Sequence, residues 1–151
     1  MSNNGFARLD IVPTWARFND DLIRLVEHVP DDKLNWSPKP ELWNFRGILI
    51  HIGFARDQWL GNVVKDGVVG PTAFPRTKEE IVQALRRSWQ RLEPFLRDEE
   101  RLDATYDVDW GEAPTGHWIA FHLLEHDIHH RADIFHYLAL LGIETPDVGT
   151  P

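Results

Sequence analysis

The sequence predicts an all-α fold, an antiparallel four-helix bundle with one or more long connections. Apolar residues recur every three or four positions in four long stretches, which is the period of an amphipathic helix. Segments rich in Pro, Gly and Asp separate these stretches, and there is no strong alternating pattern of the kind that predicts a strand. Because a domain usually holds roughly 100–200 residues, we expect residues 1–151 to form a single domain.

The first helix is predicted over residues 13–29. Pro13 suits a first helical turn, where its missing N–H costs little, and Pro30 ends the helix. The apolar stripe consists of Trp15, Phe18, Leu22, Leu25 and Val29. The connection that follows, 30–43, is rich in proline, and we expect one helical turn near residues 31–34.

The second helix is predicted over residues 44–64, with Asn44 as its N-cap. One face carries Ile48, His51, Ile52, Ala55, Trp59 and Val63. A third helix begins at a capping box formed by Thr77 and Glu80. Its stripe consists of Ile81, Leu85, Ser88, Leu92 and Phe95.

A loop is predicted over residues 98–114, and within it 104–110 is the best candidate for a strand, although a weak one. The fourth helix is predicted over residues 115–141, because Gly142 stands where a C-terminal cap belongs. The four helices together are typical of a bundle, either in simple up-down order or with a crossover.

Composition excludes several classes of protein. The chain has 24 acidic and 16 basic residues and a formal charge of −8, which argues against a nucleic-acid partner. The absence of cysteine excludes disulfides, thiolate metal sites and cysteine nucleophiles. No apolar stretch is long enough to span a membrane, and the N-terminus does not resemble a secretory signal. We therefore expect a cytoplasmic protein.

Histidines are concentrated in the fourth helix, where four of the eight lie within residues 122–130. His126 and His130 are one helical turn apart and can point two imidazoles at one ion. A divalent ion commonly needs a third protein ligand. His51 is the strongest candidate, because a histidine within an apolar helical run is buried and needs a partner. The sequence leaves open whether His122, His129 or Glu125 joins this metal site.

Three acidic residues could orient an imidazole through its outer nitrogen, namely Asp57, Glu125 and Asp127. It is an equally good interpretation that these three residues are ordinary charged side chains on the solvent-exposed faces of helices. The paired Glu-x-x-His motifs of di-iron bundles and the HExxH motif of metalloproteases are absent. The sequence identifies no catalytic residue.

Two stretches resemble the DinB/YfiT-like family. They are LWNFRGILIHI at residues 42–52 and HDIHHRADI at residues 126–134. The resemblance implies a four-helix bundle in which His51, His126 and His130 hold one divalent ion, commonly zinc or nickel. It also implies a homodimer in some members, and transferases or isomerases that use low-molecular-weight thiols such as bacillithiol or mycothiol. Other members are regarded as metal-dependent hydrolases.

The sequence departs from the common family pattern after the last ligand, where Arg131-Ala132-Asp133 replaces Arg-Gly-Gln, and at Asp57, where Glu is frequent. Neither change removes a candidate ligand. The leading hypothesis is a divalent-metal-dependent enzyme, a thiol-dependent S-transferase or a hydrolase with a small-molecule substrate. The alternative is a non-catalytic bundle that binds a metal or small ligand, such as a stress-related sensor. A third hypothesis is a purely structural bundle.

Overall fold

The computed structural model describes residues 10–148, and within them the protein is all-helical, as predicted. Four long helices and one short one follow in chain order: α1 (Val12–His28), α2 (Phe45–Gln58), α3 (Lys78–Leu96), α4 (Glu99–Asp103) and α5 (Gly116–Leu140). Within this part of the chain, no helix is both long and apolar enough to cross a membrane.

The second helix reaches its predicted end, but its last part has a different hydrogen-bond pattern. Beyond Gln58 the chain continues as a π-helical turn over Trp59–Val64. The backbone N–H of Asp66 then bonds to the Leu60 carbonyl at 3.0 Å, and Lys65 has a left-handed φ of 56°. Turns of this kind inside α-helices are rare and often lie near functional sites.

The predicted loop at 98–114 is partly ordered, because it contains α4. A Cβ on Gly116 would lie 2.2 Å from the Arg101 carbonyl oxygen and 2.6 Å from the Leu102 Cα. Only glycine therefore allows the start of α5 to pack so closely against the backbone of α4.

Of two short elements predicted in the connections between helices, one is confirmed and the other is wrong. A 3-10 turn over Asp31–Lys33 confirms the turn that was expected near residues 31–34. The strand candidate at 104–110 forms no strand, and within residues 10–148 only an isolated antiparallel bridge pairs Thr105 with Thr115. Without a second strand beside it, this segment has no ladder to join.

Caps mark the helix ends that the sequence predicts. The Asn44 side chain accepts a hydrogen bond from the Gly47 backbone N–H at 2.8 Å. Thr77 and Glu80 form the predicted capping box, and Gly142 follows α5 with a φ of 69°. Each cap satisfies backbone groups that the helix leaves free.

Contacts between helices show that α2 and α3 are parallel neighbours. Gly53 lies against Ala84, and further along both helices Asp57 accepts a hydrogen bond from Arg91 at 3.1 Å. Parallel neighbours cannot be joined by a tight turn, so the segment 65–77 crosses over the bundle. The sequence left open whether such a crossover exists.

The other neighbouring pairs include antiparallel ones. Lys78, at the start of α3, donates to the carbonyl of Glu27 near the end of α1. Tyr137, near the end of α5, donates to the carbonyl of Trp43 just before α2. The antiparallel pairs are therefore α1 with α3 and α2 with α5.

Apolar side chains from all four long helices form one core. Its fully buried members include Leu22, Leu25, Ile52, Leu60, Leu85, Leu92, Ile119, Leu123, Ile134 and Leu138. Six polar or charged side chains within residues 10–148 are also buried, and four of them, Asn19, Arg56, Ser88 and Asp127, contact one another among the helices. Buried polar groups must be hydrogen-bonded to be tolerated. These four side chains bond to one another, and Asp127 among them lies next to His126.

The start of the crossover segment is anchored by Arg91. Its guanidinium donates to Asp66 at 2.6 and 2.7 Å and to the Val68 carbonyl at 3.0 Å. A Cβ on Gly61 would lie 3.0 Å from this guanidinium. The side chains of Arg91 and Asp66 are only 5% and 6% exposed, so water screens the pair poorly.

Substituting Asp66 by asparagine is expected to lower the free energy of unfolding at neutral pH by roughly 1.5–3 kcal/mol, the usual value of hydrogen bonds to a charged group. Burial by itself would raise the pKa of Asp66. Hydrogen bonds with Arg91 and with the Val68 N–H outweigh it, and the pKa lies below its ordinary value of 3.8. The contribution of Asp66 is therefore complete above its unfolded pKa and is lost as the pH falls through the folded-state value.

Urea unfolding at pH 7 and at pH 3 measures this dependence. The difference between the parent protein and Asp66→Asn should be largest at pH 7 and smaller at pH 3. Asp109→Asn, at an exposed carboxyl, is the control and should stay within about 0.5 kcal/mol of the parent. A difference for Asp66→Asn that does not change with pH would contradict the prediction.

Candidate metal centre

Three histidines from two helices converge at one point on the bundle. His51 comes from α2, His126 and His130 come from α5, and one nitrogen of each lies within 4.8 Å of the other two. The Nε2 atoms of His51 and His126 are 2.8 Å apart. We call His51, His126 and His130 the histidine triad. They are the three residues that the sequence nominated as metal ligands.

The electrostatic surroundings keep two of these imidazoles neutral. Burial, together with the nearby His126 and His130, lowers the pKa of His51 to about 4. Burial and His126 also lower the pKa of His130, although Asp133 partly opposes them. At pH 7 both rings therefore have a nitrogen lone pair available for a cation.

The nitrogen atoms of the triad lie close enough together to share one metal ion. Zinc–nitrogen bonds of about 2.0–2.1 Å place two ligands of a tetrahedral site roughly 3.3 Å apart. The Nε2 atoms of His51 and His126 are 2.8 Å apart, and the nitrogens of all three residues lie within 4.8 Å of one another, so these two distances lie on either side of that value. His130 Nδ1 is 3.2 Å from a carboxylate oxygen of Asp133, which leaves its Nε2 free. The donor set therefore fits a divalent ion such as zinc.

Asp127 lies directly behind the triad. One carboxylate oxygen accepts hydrogen bonds from Arg56 at 2.6 and 3.0 Å and from the Trp15 indole at 3.0 Å. The other oxygen lies 3.9 Å from His126 Nδ1. Among residues 10–148, these last two atoms are the buried side-chain polar atoms that lack a hydrogen-bond partner. A carboxylate in this position is typical of one that orients a ligating imidazole.

Arg56, which pairs with Asp127, connects side chains from all four long helices. Arg56 on α2 is fully buried, and its guanidinium also donates to Asn19 on α1 at 2.7 Å and to Ser88 on α3 at 3.2 Å. Asp127 completes the set from α5. We call Arg56, Asp127, Asn19 and Ser88, with Trp15, the buried polar network. It holds the backbone of α5 at the position from which the two triad histidines of that helix project.

Aromatic rings border the triad on two sides. The Trp43 ring lies 4.5 Å from His51 and 6.0 Å from His130, measured between ring centroids. Towards the start of α5, Trp118 stacks on His122 with a centroid distance of 4.9 Å and an interplanar angle of 8°. Trp59 lies 5.2 Å from the same imidazole.

Residues whose membership the sequence left open lie outside the triad. His122 is enclosed by tryptophan rings, and its centroid is 6.4 Å from that of His126. His129 and Glu125 are exposed. His129 does lie near His130 and Asp133, which gives a second group of possible ligands that shares His130. Asp57 bonds to Arg91 rather than to an imidazole.

Two residues at the site were not found by sequence reasoning. Arg56 lies four positions after Ile52 on the apolar face of α2, and a buried arginine there implies an acidic partner. Asp133 follows His130 by three positions, a spacing that brings side chains together on a helix.

Comparisons with known proteins agree with this description. The sequence profile of the DinB superfamily matches residues 14–134. A DinB-like protein from Bacillus subtilis has 24% identity and a TM-score of 0.71, over 91% of this chain and 95% of that one. A DinB-like protein from Bacillus cereus has 18% identity and a TM-score of 0.76, over 92% and 95%. A DinB family member from Exiguobacterium sibiricum has 18% identity and a TM-score of 0.69, over 93% and 98%. None of the curated proteins matches the sequence significantly.

Proposed function

The chain belongs to the DinB superfamily, and from this premise we propose that it is a divalent-metal-dependent enzyme acting on a small molecule. His51, His126 and His130 hold one ion, zinc or nickel, and the reaction is a thiol-dependent S-transfer or a hydrolysis. The observation that carries the proposal is the approach of three imidazole nitrogens to within 4.8 Å. Membership of the DinB superfamily and the histidine triad together fit a metal-binding protein.

The surrounding residues have distinct tasks in this proposal. Asp133 would hold the proton on Nδ1 of His130 and so leave the Nε2 lone pair of that ring available to the ion. Asp127, whose second carboxylate oxygen lies 3.9 Å from Nδ1 of His126, would orient that imidazole in the same way. A bound divalent ion would supply Lewis acidity, which makes a water molecule or a low-molecular-weight thiol a stronger nucleophile. Three protein ligands leave a position at the ion for that cosubstrate.

Isothermal titration of zinc and of nickel into metal-free, untagged protein tests the metal site. We expect one ion per chain. The loaded protein is then assayed for transfer of low-molecular-weight thiols to electrophiles and for ester and amide hydrolysis. Turnover in one of these assays supports the enzyme, and failure to take up either ion overturns the proposal. One bound ion without any turnover would favour the non-catalytic metal-binding bundle instead.

A further inference from the structure

A cavity of about 440 Å³ lies directly beside His51. Its wall consists mainly of Leu42, Trp43, Ile50, Phe54 and Phe74, together with His51 itself. Ligand sites in proteins commonly measure roughly 300–1,000 Å³ and have mostly apolar walls. His51, alone of the triad, therefore borders a space large enough for part of a small molecule.

The wall of this cavity carries no Asp, Glu, Lys or Arg side chain. Asn44 is its polar member besides His51, and the Asn44 carbonyl oxygen is already used to cap α2. A neighbouring cavity on the other side of Phe74 does contain charged residues, Asp57 and Arg87. The wall of this cavity thus offers no Lys or Arg side chain to a carboxylate or phosphate.

Three aromatic side chains around the cavity are exposed to water. Trp43 is 51% exposed, Phe54 is 37% exposed and Phe74 is 61% exposed. Phe54 and Phe74 also contact each other, with their ring centroids 5.7 Å apart. Clustered exposed aromatics commonly mark a binding site, because covering them removes apolar surface from water.

We infer that the cavity beside His51 binds a neutral aromatic or aliphatic group of the substrate. Trp43 lines this cavity and also lies against His51 and His130, so a group held against it lies next to the triad. The inference rests on the proposed function and names the substrate class of the same site. An anionic group in the same place would meet no cationic side chain in the wall and would lose part of its hydration against the apolar rings, which is costly.

Binding of 2-naphthalenemethanol and of 2-naphthoate to the metal-free protein tests the inference, since the two probes share a ring system and differ in charge. Isothermal titration should show one site for the alcohol and about tenfold or more weaker binding of the carboxylate. Phe74→Ala should weaken binding of the alcohol roughly 5- to 10-fold. Phe121→Ala is the matched control, because Phe121 is 67% exposed on α5 and does not line the cavity.

Equal binding of the two probes, or equal losses in the two variants, overturns the inference. If the protein takes up one zinc ion but does not bind the alcohol, the metal centre stands and the apolar substrate site is wrong. If it binds the alcohol but takes up no metal, the proposed enzyme fails instead. The two failures are therefore distinguishable.

Discussion

Replacing either His51 or His130 by alanine is expected to abolish stoichiometric metal binding and to weaken zinc affinity by more than about 100-fold. Removal of a residue that merely orients a ligand already costs roughly 10–100-fold in affinity. Each substitution leaves two nitrogens of the triad, which is fewer than the three protein ligands of ordinary catalytic zinc sites. Metal content by elemental mass spectrometry and zinc titration of each variant measure the effect.

His129→Ala is the matched control for this experiment. His129 is the neighbour of His130 in the chain but is exposed and outside the triad. The variant should retain one ion per chain with affinity close to that of the parent. Retention of the ion by His51→Ala, or its loss in His129→Ala, would show that a different set of residues holds the metal. In that case the second group, formed by His129, His130 and Asp133, becomes the alternative.

Replacing Asp127 by alanine is expected to lower the free energy of unfolding by roughly 3–5 kcal/mol, because it leaves a buried charge without its partner. Both side chains of the Arg56–Asp127 pair are 0% exposed. Water cannot replace the lost carboxylate in this position, and the Trp15 N–H loses its acceptor as well. Urea unfolding followed by circular dichroism gives the measurement.

Two comparisons separate the charge effect from ordinary truncation. Asp133→Ala removes a carboxylate from the same helix, but one that is 38% exposed, and should cost less than about 1 kcal/mol. The double variant Arg56→Met/Asp127→Leu removes both charges and should recover part of the loss, since apolar replacements of buried ion pairs are often tolerated. A cost below 1 kcal/mol for Asp127→Ala would contradict the prediction.

Local patterns in the chain were sufficient to predict the long helices and several of their ends. The cap at Asn44 and the capping box at Thr77 depend on contacts within three or four residues, and such contacts can be deduced from spacing alone. The π-helical turn at Trp59–Val64 was not predicted. It coincides with the approach of Arg91 to Gly61, a contact between residues distant in the chain.

In the candidate site too, the sequence predicted the local features but not the contacts between residues distant in the chain. His126 and His130 are one helical turn apart, so their proximity is a local fact, and His51 was nominated because a polar residue in an apolar run needs a partner. The pairing of Arg56 with Asp127 spans 71 positions of the chain. No sequence spacing determines such a contact, because it depends on which helices become neighbours.

The amino-acid sequence by itself determined the helices, the caps and the pair of histidines on α5, because these depend on periodicity and on interactions within one or two turns. The tertiary structure decided that α2 and α3 run parallel, that 65–77 crosses over, and that His51 meets the histidines of α5. It also decided that Trp43, Phe54 and Phe74 border a cavity free of charge beside His51. Such features arise when separate elements pack together, and packing selects among arrangements that local patterns leave equally possible.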